Sequence, residues 1–295
     1  MRNVTFNEVK DWVIIALASN PLLMEKLVLK GGLAIAYHSE KSNIPFSRAS
    51  RDLDLSIEDD VDKAELEKNL FMTLDETLNE RGYKILDFKF TEKPKTNYPE
   101  TKSFWGGYGV EFKLISLDKY KSFSDNLEAA RRNAEPLHDD HSTRFLIDLS
   151  KFEYVGNKEM ATLEDYDFYI YSIEMIIFEK VRALCQQLPE YSEYGAGTKG
   201  SPRPRDFYDI HFLVTEYNID ILLQENIDLL KKIFAAKRVP IKFISLVCEQ
   251  QNLDFHEQSW NDVVSTLSLA DRDGLLSFQD YSIFFKENFG NLTAL

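Results

Sequence analysis

The hydrophobic period changes once along the chain, from two residues to about 3.6, and this change restricts the fold more than any other feature. The segments "YKILDFKF", "YGVEFKLIS" and "TRFLIDLSKFEYV" carry β-branched or aromatic residues at strand-like length and alternation. After about residue 165 the pattern turns helical. "SIEMIIFEKVRALCQQL", "RDFYDIHFLVTEY", "NIDLLKKIFAAK", the segment around Trp260 and "SFQDYSIFFKENF" all read as helices. Strands first and helices afterwards predict an α+β chain, with an α/β domain over 1–165 and a helical domain over 166–295. Besides the helical "LAIAYH" after Gly32, two helices precede or interrupt the strands. One spans 5–26, with capping-box spacing between Thr5 and Glu8 and an apolar stripe of Val9, Trp12, Val13 and Ala16. The other is an acidic segment over roughly 61–81.

Composition limits the setting. The 295 residues are 44% hydrophobic and 28% charged, which describes an ordinary globular protein. No run approaches the ~18 apolar residues of a membrane span, and "MRNVTFNEVKDW" lacks the apolar core of a signal peptide. Cys185 and Cys248 have no metal-type spacing, so a reduced cytoplasmic setting is expected and no membrane partner. The net charge of −14 opposes indiscriminate coating of nucleic acid but allows a local basic patch. "LLKKIFAAKRVPIKF" is such a stretch, with Lys231, Lys232, Lys237, Arg238 and Lys242 and no acid among them. It reads first as a solvated helix face with its trailing loop, and second as an RNA contact.

Chemistry concentrates in "SRASRDLDLS", residues 47–56. In a strand, Leu53, Leu55 and Ile57 share one face while Asp52, Asp54 and Ser56 share the other. Two carboxylates so close repel each other unless a cation lies between them. A third, Asp148, lies in "FLIDLS" on the face opposite Phe145, Ile147 and Leu149. Carboxylates converging from adjacent strands suit Mg²⁺ or Mn²⁺, which takes hard oxygen ligands and leaves room for phosphates. Upstream, Gly31 and Gly32 stand where a short strand turns into a helix, and bare glycines there let a phosphate approach the backbone.

Jointly, "LKGGLAIAY", "SRASRDLDLS", "SIEMIIFEKVRAL" and "PRPRDFYDI" resemble the motifs of the AbiEii/AbiGii toxin family, within the DNA polymerase β-like nucleotidyltransferase superfamily. The resemblance implies a mixed sheet with flanking helices, followed by a helical bundle that lends Lys180 and Asp206 to the active-site cleft. It also implies transfer of a nucleoside monophosphate from an NTP, with Asp52, Asp54 and Asp148 holding Mg²⁺, and Asp148 either helping a second ion or acting as base toward the attacking hydroxyl. Lys30, Gly31, Gly32, Ser50, Lys180, Arg205 and Asp209 would contact the nucleotide. The family implies a type IV toxin–antitoxin or abortive-infection system for phage defence, with an antitoxin that need not bind, and an RNA acceptor such as tRNA.

The residues alone leave alternatives. Lys180 lies four positions after Ile176 and four before Leu184, so its stem starts on an apolar face and its ammonium either snorkels or meets an anion. Asp206 follows a proline-rich loop and reads as an N-cap, with Asp209 in the first turn. "HDDH" over 138–141 reads as a solvated loop, Glu111 as an exposed strand residue and Cys185 as core. A metal-dependent nuclease, or a nucleotide-binding interaction module without turnover, would use the same pocket.

Overall fold

The computed structural model describes residues 4–46, 50–94, 101–123, 126–138, 140–194, 200–267 and 272–292. The chain begins with α1 (Phe6–Ser19), capped by Thr5 and Glu8 in the reciprocal box expected from their spacing. The single helix expected over 5–26 is two. Asn20 ends α1 and caps α2 (Pro21–Lys26) through its side-chain oxygen, and Pro21 at the first helical position cannot donate to the preceding turn.

A short strand β1 (Val28–Lys30) then turns directly into α3 (Gly31–Ser42), followed by β2 (Leu53–Ser56) and α4 (Lys63–Glu80). Leu66, Leu70, Leu74 and Leu78 bury one stripe of α4, so its acidic remainder is the solvated face. The hairpin β3 (Tyr83–Lys93) and β4 (Gly107–Ser116) is followed by two short helices, α5 (Leu117–Ser122) and α6 (Leu127–Arg132). Strand β5 (Arg144–Ser150) and the hairpin β6 (Glu159–Leu163)–β7 (Tyr166–Ile170) complete a seven-stranded sheet of order β3-β4-β5-β2-β1-β7-β6. It is mixed: β1/β7 and β2/β5 are parallel, and the other described pairs antiparallel. The expected boundary at 165 falls inside the β6–β7 hairpin. Strands continue to Ile170 because β7 pairs in parallel with β1 on one side and with β6 on the other.

Beyond the sheet come α7 (Ile173–Cys185), α8 (Pro204–Glu216), α9 (Gln224–Ala236), α10 (Phe243–Val247), α11 (Gln250–Glu257), α12 (Trp260–Ser265) and α13 (Phe278–Phe289). Helix α7 is buried almost all round, as a helix must be when packed on both sides. One apolar cluster runs from Val4 to Leu292 through both halves, and Cys185 lies fully inside it, as expected.

Candidate active site

Four strands place the floor of the site on one rung. Lys30 of β1 is registered with Asp54 of β2, Asp54 with Asp148 of β5, and Asp148 with Gly109 of β4. Asp52 lies just before β2 and is exposed at the mouth. Gly31 opens α3 with φ +69°, and a Cβ there would stand 2.3 Å from Oδ2 of Asp54. Both the backbone conformation and the space therefore require glycine. Helix α3 has no side-chain cap, so its first N–H groups remain directed at the mouth, an arrangement that favours an anion. Ser50 sits on the rim, where its hydroxyl donates to the carbonyl of Asp52 at 3.2 Å.

The carboxylates are crowded. Burial pushes Asp54 up to about 6, and the charges of Asp148, Glu179 and Asp52 add to that effect against the opposing pull of Lys30. Asp52 is raised as well, by burial and then by Asp148. Among the described residues, no hydrogen bond or ion pair engages the carboxylate of either Asp52 or Asp54. Such hard oxygen donors, crowded and without a direct partner among the described residues, fit a divalent cation such as Mg²⁺. The expected set of three metal ligands, however, is not assembled among the described residues. Asp148 is turned to Lys93 Nζ at 2.6 Å, a reach that Gly109 permits, since a Cβ there would stand 2.8 Å from Lys93 Cε.

The facing wall comes from α7 and α8. Lys180 is buried and pairs with Asp206 Oδ1 at 2.9 Å and Asp209 Oδ2 at 2.7 Å, so its ammonium meets anions rather than snorkelling. Asp206 is not an N-cap. Arg203 occupies that position, Pro204 is the first helical residue, and the Asp206 side chain turns inward to Arg203 and Lys180. Asp209 falls in the second turn and is fully buried. Burial alone would raise Asp206, but Arg203 and Lys180 together hold it well below the usual carboxylate range. Lys180→Met therefore removes the counter-ion of two buried aspartates. The expected cost is roughly 3–5 kcal/mol of stability in addition to lost transfer, measured by denaturant unfolding at pH 7. Unfolding within 1 kcal/mol of wild type would show that Arg203 balances the pair alone.

Beneath this wall lies a buried ionic network that reading the sequence missed. Lys30 reaches Ser150 Oγ at 3.2 Å, Glu179 at 3.4 Å and Glu153 at 3.6 Å, so its ammonium, expected on the nucleotide, is taken up below the mouth. Arg182 pairs with Glu153 and with Glu179, each at 3.1 Å. Lys237 pairs with Glu153 at 3.4 Å and donates to the carbonyl of Lys151. Lys237 is only 3% exposed and leaves the set of RNA contacts. Burial and its cationic neighbours bring it down to about 8, despite Glu153. The one sequence signal was an acid inside the apolar run "KFEYV", where Glu153 replaces a core residue.

The remaining candidates separate cleanly. Arg205 is exposed on the cleft rim, and Arg51 is held there by Asp140 at 2.9 Å. Arg48 and Asp139 of "HDDH" lie outside the described residues. Glu111 is paired with Lys89 and Arg144 away from the cleft. Lys231 and Lys232 are exposed on α9 and do not line the cleft, whereas Arg238 lies over the Phe104 ring at 4.3 Å and donates to Ser103 Oγ at 2.9 Å.

The cleft between floor and wall encloses about 770 Å³, and its lining carries eight acidic and eight basic side chains. In a chain of net charge −14 such local neutrality suits a ligand that brings negative charge of its own. Together, the mixed sheet, glycine turn and paired aspartates place the protein among the nucleotidyltransferases. Residues 14–284 match the family described as "Nucleotidyl transferase AbiEii toxin, Type IV TA system", and the chain belongs to that family. Similar solved structures include a putative nucleotidyltransferase from Helicobacter pylori, at 16% identity and TM-score 0.47, covering 98% of this chain and 93% of that one. JHP933 from the same species gives 16%, 0.46, 98% and 90%. MenT4, a nucleotidyltransferase toxin from Mycobacterium tuberculosis H37Rv, gives 12%, 0.48, 98% and 83%. Among curated proteins, none matches this chain in sequence. No helix among the described residues is long and apolar enough to cross a membrane.

Proposed function

We propose that the chain transfers a nucleoside monophosphate from an NTP to a hydroxyl of an RNA acceptor, tRNA being the first to test. The observation that carries this reading is the rung of Asp54 and Asp148 beside Gly31, with α3 opening onto it uncapped. The N–H groups of α3 and the rim guanidinium of Arg205 receive the pyrophosphate end of the nucleotide. Asp148, oriented by Lys93, accepts the proton of the attacking hydroxyl as its oxygen bonds to the α-phosphorus and pyrophosphate departs. Mg²⁺ or Mn²⁺ on Asp52 and Asp54 would supply Lewis-acid neutralisation of the phosphate charge. Lys180, fixed by Asp206 and Asp209, keeps a positive charge at a set position on the wall. The family's toxin role implies an opposing antitoxin, acting here without the need for direct contact, and action in the cytoplasm.

Incubation with each labelled NTP and total tRNA tests the reading. One nucleotide, with Mg²⁺, should enter RNA, and Asp52→Asn should prevent it. RNA cleavage without incorporated label would instead mark a nuclease, and NTP binding without either product would mark an interaction module.

A further inference from the structure

The lining of the cleft contains a single aromatic side chain among the described residues, Trp105. It lies at the entrance to β4, two strands from β2 on the side opposite β1. Going across the floor from β1, the order is glycine turn, Asp54, Asp148 and Gly109 of β4, whose entrance at Gly107 lies two residues further along, level with Ser150, and still lines the cleft. In-line phosphoryl transfer keeps the attacking and leaving oxygens on opposite sides of phosphorus. If pyrophosphate departs toward the glycine turn and Arg205, the attacking nucleotide arrives from the β4 side. Trp105 is the group it meets.

The position is built to be rigid. Phe104 and Trp105 both donate their backbone N–H to the carbonyl of Thr101, itself buried, which closes a turn. Gly107 presses onto β5 so closely that a Cβ would stand 2.1 Å from the Leu149 carbonyl oxygen, and Gly106 adopts φ +147°. Phe104 is buried beneath the Arg238 guanidinium, while Trp105 stays partly exposed toward the cleft. Two cations stand near this turn: Lys93 is registered with Gly107 and lines the cleft, and Arg238 lies over the ring of the neighbouring Phe104. An aromatic face with cations nearby is the means by which proteins hold single-stranded nucleic acid, since every base can stack and every phosphate is negative.

We propose that Trp105 is the stacking platform for the terminal base of a single-stranded RNA acceptor, with Lys93 and Arg238 flanking its phosphates. This rests on the transfer reading above and assigns the acceptor side of the same cleft. Stacking is tolerant of base identity, so the platform positions the 3′ end without choosing its sequence.

The test is fluorescence of the full chain titrated with single-stranded RNA tetranucleotides, oligo-A and oligo-C, each with a free 3′-hydroxyl. Trp12 packs beside Tyr83 and Trp260 beside Phe278 and Tyr281, so neither belongs to the cleft. Saturable quenching by both oligonucleotides is expected in wild type and should be absent in Trp105→Phe, whose own ring still stacks. In transfer assays, Trp105→Ala should raise the KM for acceptor by about 10- to 100-fold with the KM for NTP unchanged, and Trp105→Phe should recover most of that loss. Quenching by NTP alone, with a raised KM for NTP, would assign the ring to the donor base and overturn the proposal. No quenching by RNA in a wild type that is active would overturn it and leave the transfer reading standing. Quenching in a wild type that shows no transfer would support the platform and refute the transfer reading.

Discussion

Asp54→Asn is expected to abolish nucleotide transfer and, in the absence of metal, to raise the melting temperature at pH 7. The native carboxylate is buried beside Asp148, Glu179 and Asp52, which moves it from 3.8 to about 6. The sign follows from the direction of that change. The folded state holds the proton more tightly, so this group's contribution is favourable below pH 3.8 and is lost as pH rises through 6. Over the whole window the loss is roughly 3 kcal/mol, reduced to roughly 1–2 kcal/mol by the solvent at the cleft mouth. An uncharged amide avoids the penalty, and a melting rise of about 3–6 °C at pH 7 should vanish at pH 4. Mg²⁺ should stabilise wild type at pH 7 and have little effect on the variant. The decisive measurements are scanning calorimetry at pH 4 and 7 with and without Mg²⁺, beside an NTP-incorporation assay. Incorporation by Asp54→Asn would remove Asp54 from catalysis. A melting temperature unchanged at both pH values would show that its carboxylate is not crowded.

The parts of the site that were legible in the sequence are those fixed by local geometry. Strand alternation anticipated Asp54 on the polar face of β2, and the glycines stand at the expected strand–helix junction, where Gly31 also leaves the space that Asp54 takes. Thr5 and Glu8 behaved as their spacing demanded. The β6–β7 hairpin was hidden because "EMATLEDYDFYI" is rich in acids and its first strand forms the edge of the sheet. Asp206 misled for a local reason: an aspartate after a proline-rich loop suits an N-cap, but the helix begins two residues earlier, at Pro204. Lys237 misled for a tertiary one. A lysine among lysines reads as solvated, and only Glu153, far away in sequence, reveals that it is buried. Charge pairing across a core leaves no periodic trace.

Glu153→Gln should cost as much stability as Lys180→Met, among the largest losses expected outside the apolar core. The carboxylate is 5% exposed and lies within 3.1 Å of Arg182, 3.4 Å of Lys237 and 3.6 Å of Lys30. Gln preserves the volume and removes the charge, leaving Lys30 and Arg182 to share Glu179 and Lys237 with the carbonyl of Lys151. Breaking a buried ionic network in this way costs roughly 3–5 kcal/mol, about 10 °C in melting temperature for a chain of this size. Burial opposes ionisation of Glu153, but Arg182, Lys30 and Lys237 override it and bring it down to about 2 from 4.5. Its stabilisation is therefore present above pH 4.5 and is lost as pH falls through 2, so the gap between wild type and variant should close over that window. A second substitution distinguishes lost pairing from lost packing. Lys237→Met removes one of the stranded cations, and the double variant should be less destabilised than the sum of the two single variants. Strict additivity would mean that Glu153 and Lys237 do not interact. A Glu153→Gln protein melting within 2 °C of wild type would mean that the cations below the cleft reach water. Coupling instead ties the helical half to the rung of Asp54 and Asp148, because Lys237 follows α9, Arg182 lies on α7 and Lys30 stands beside Asp54.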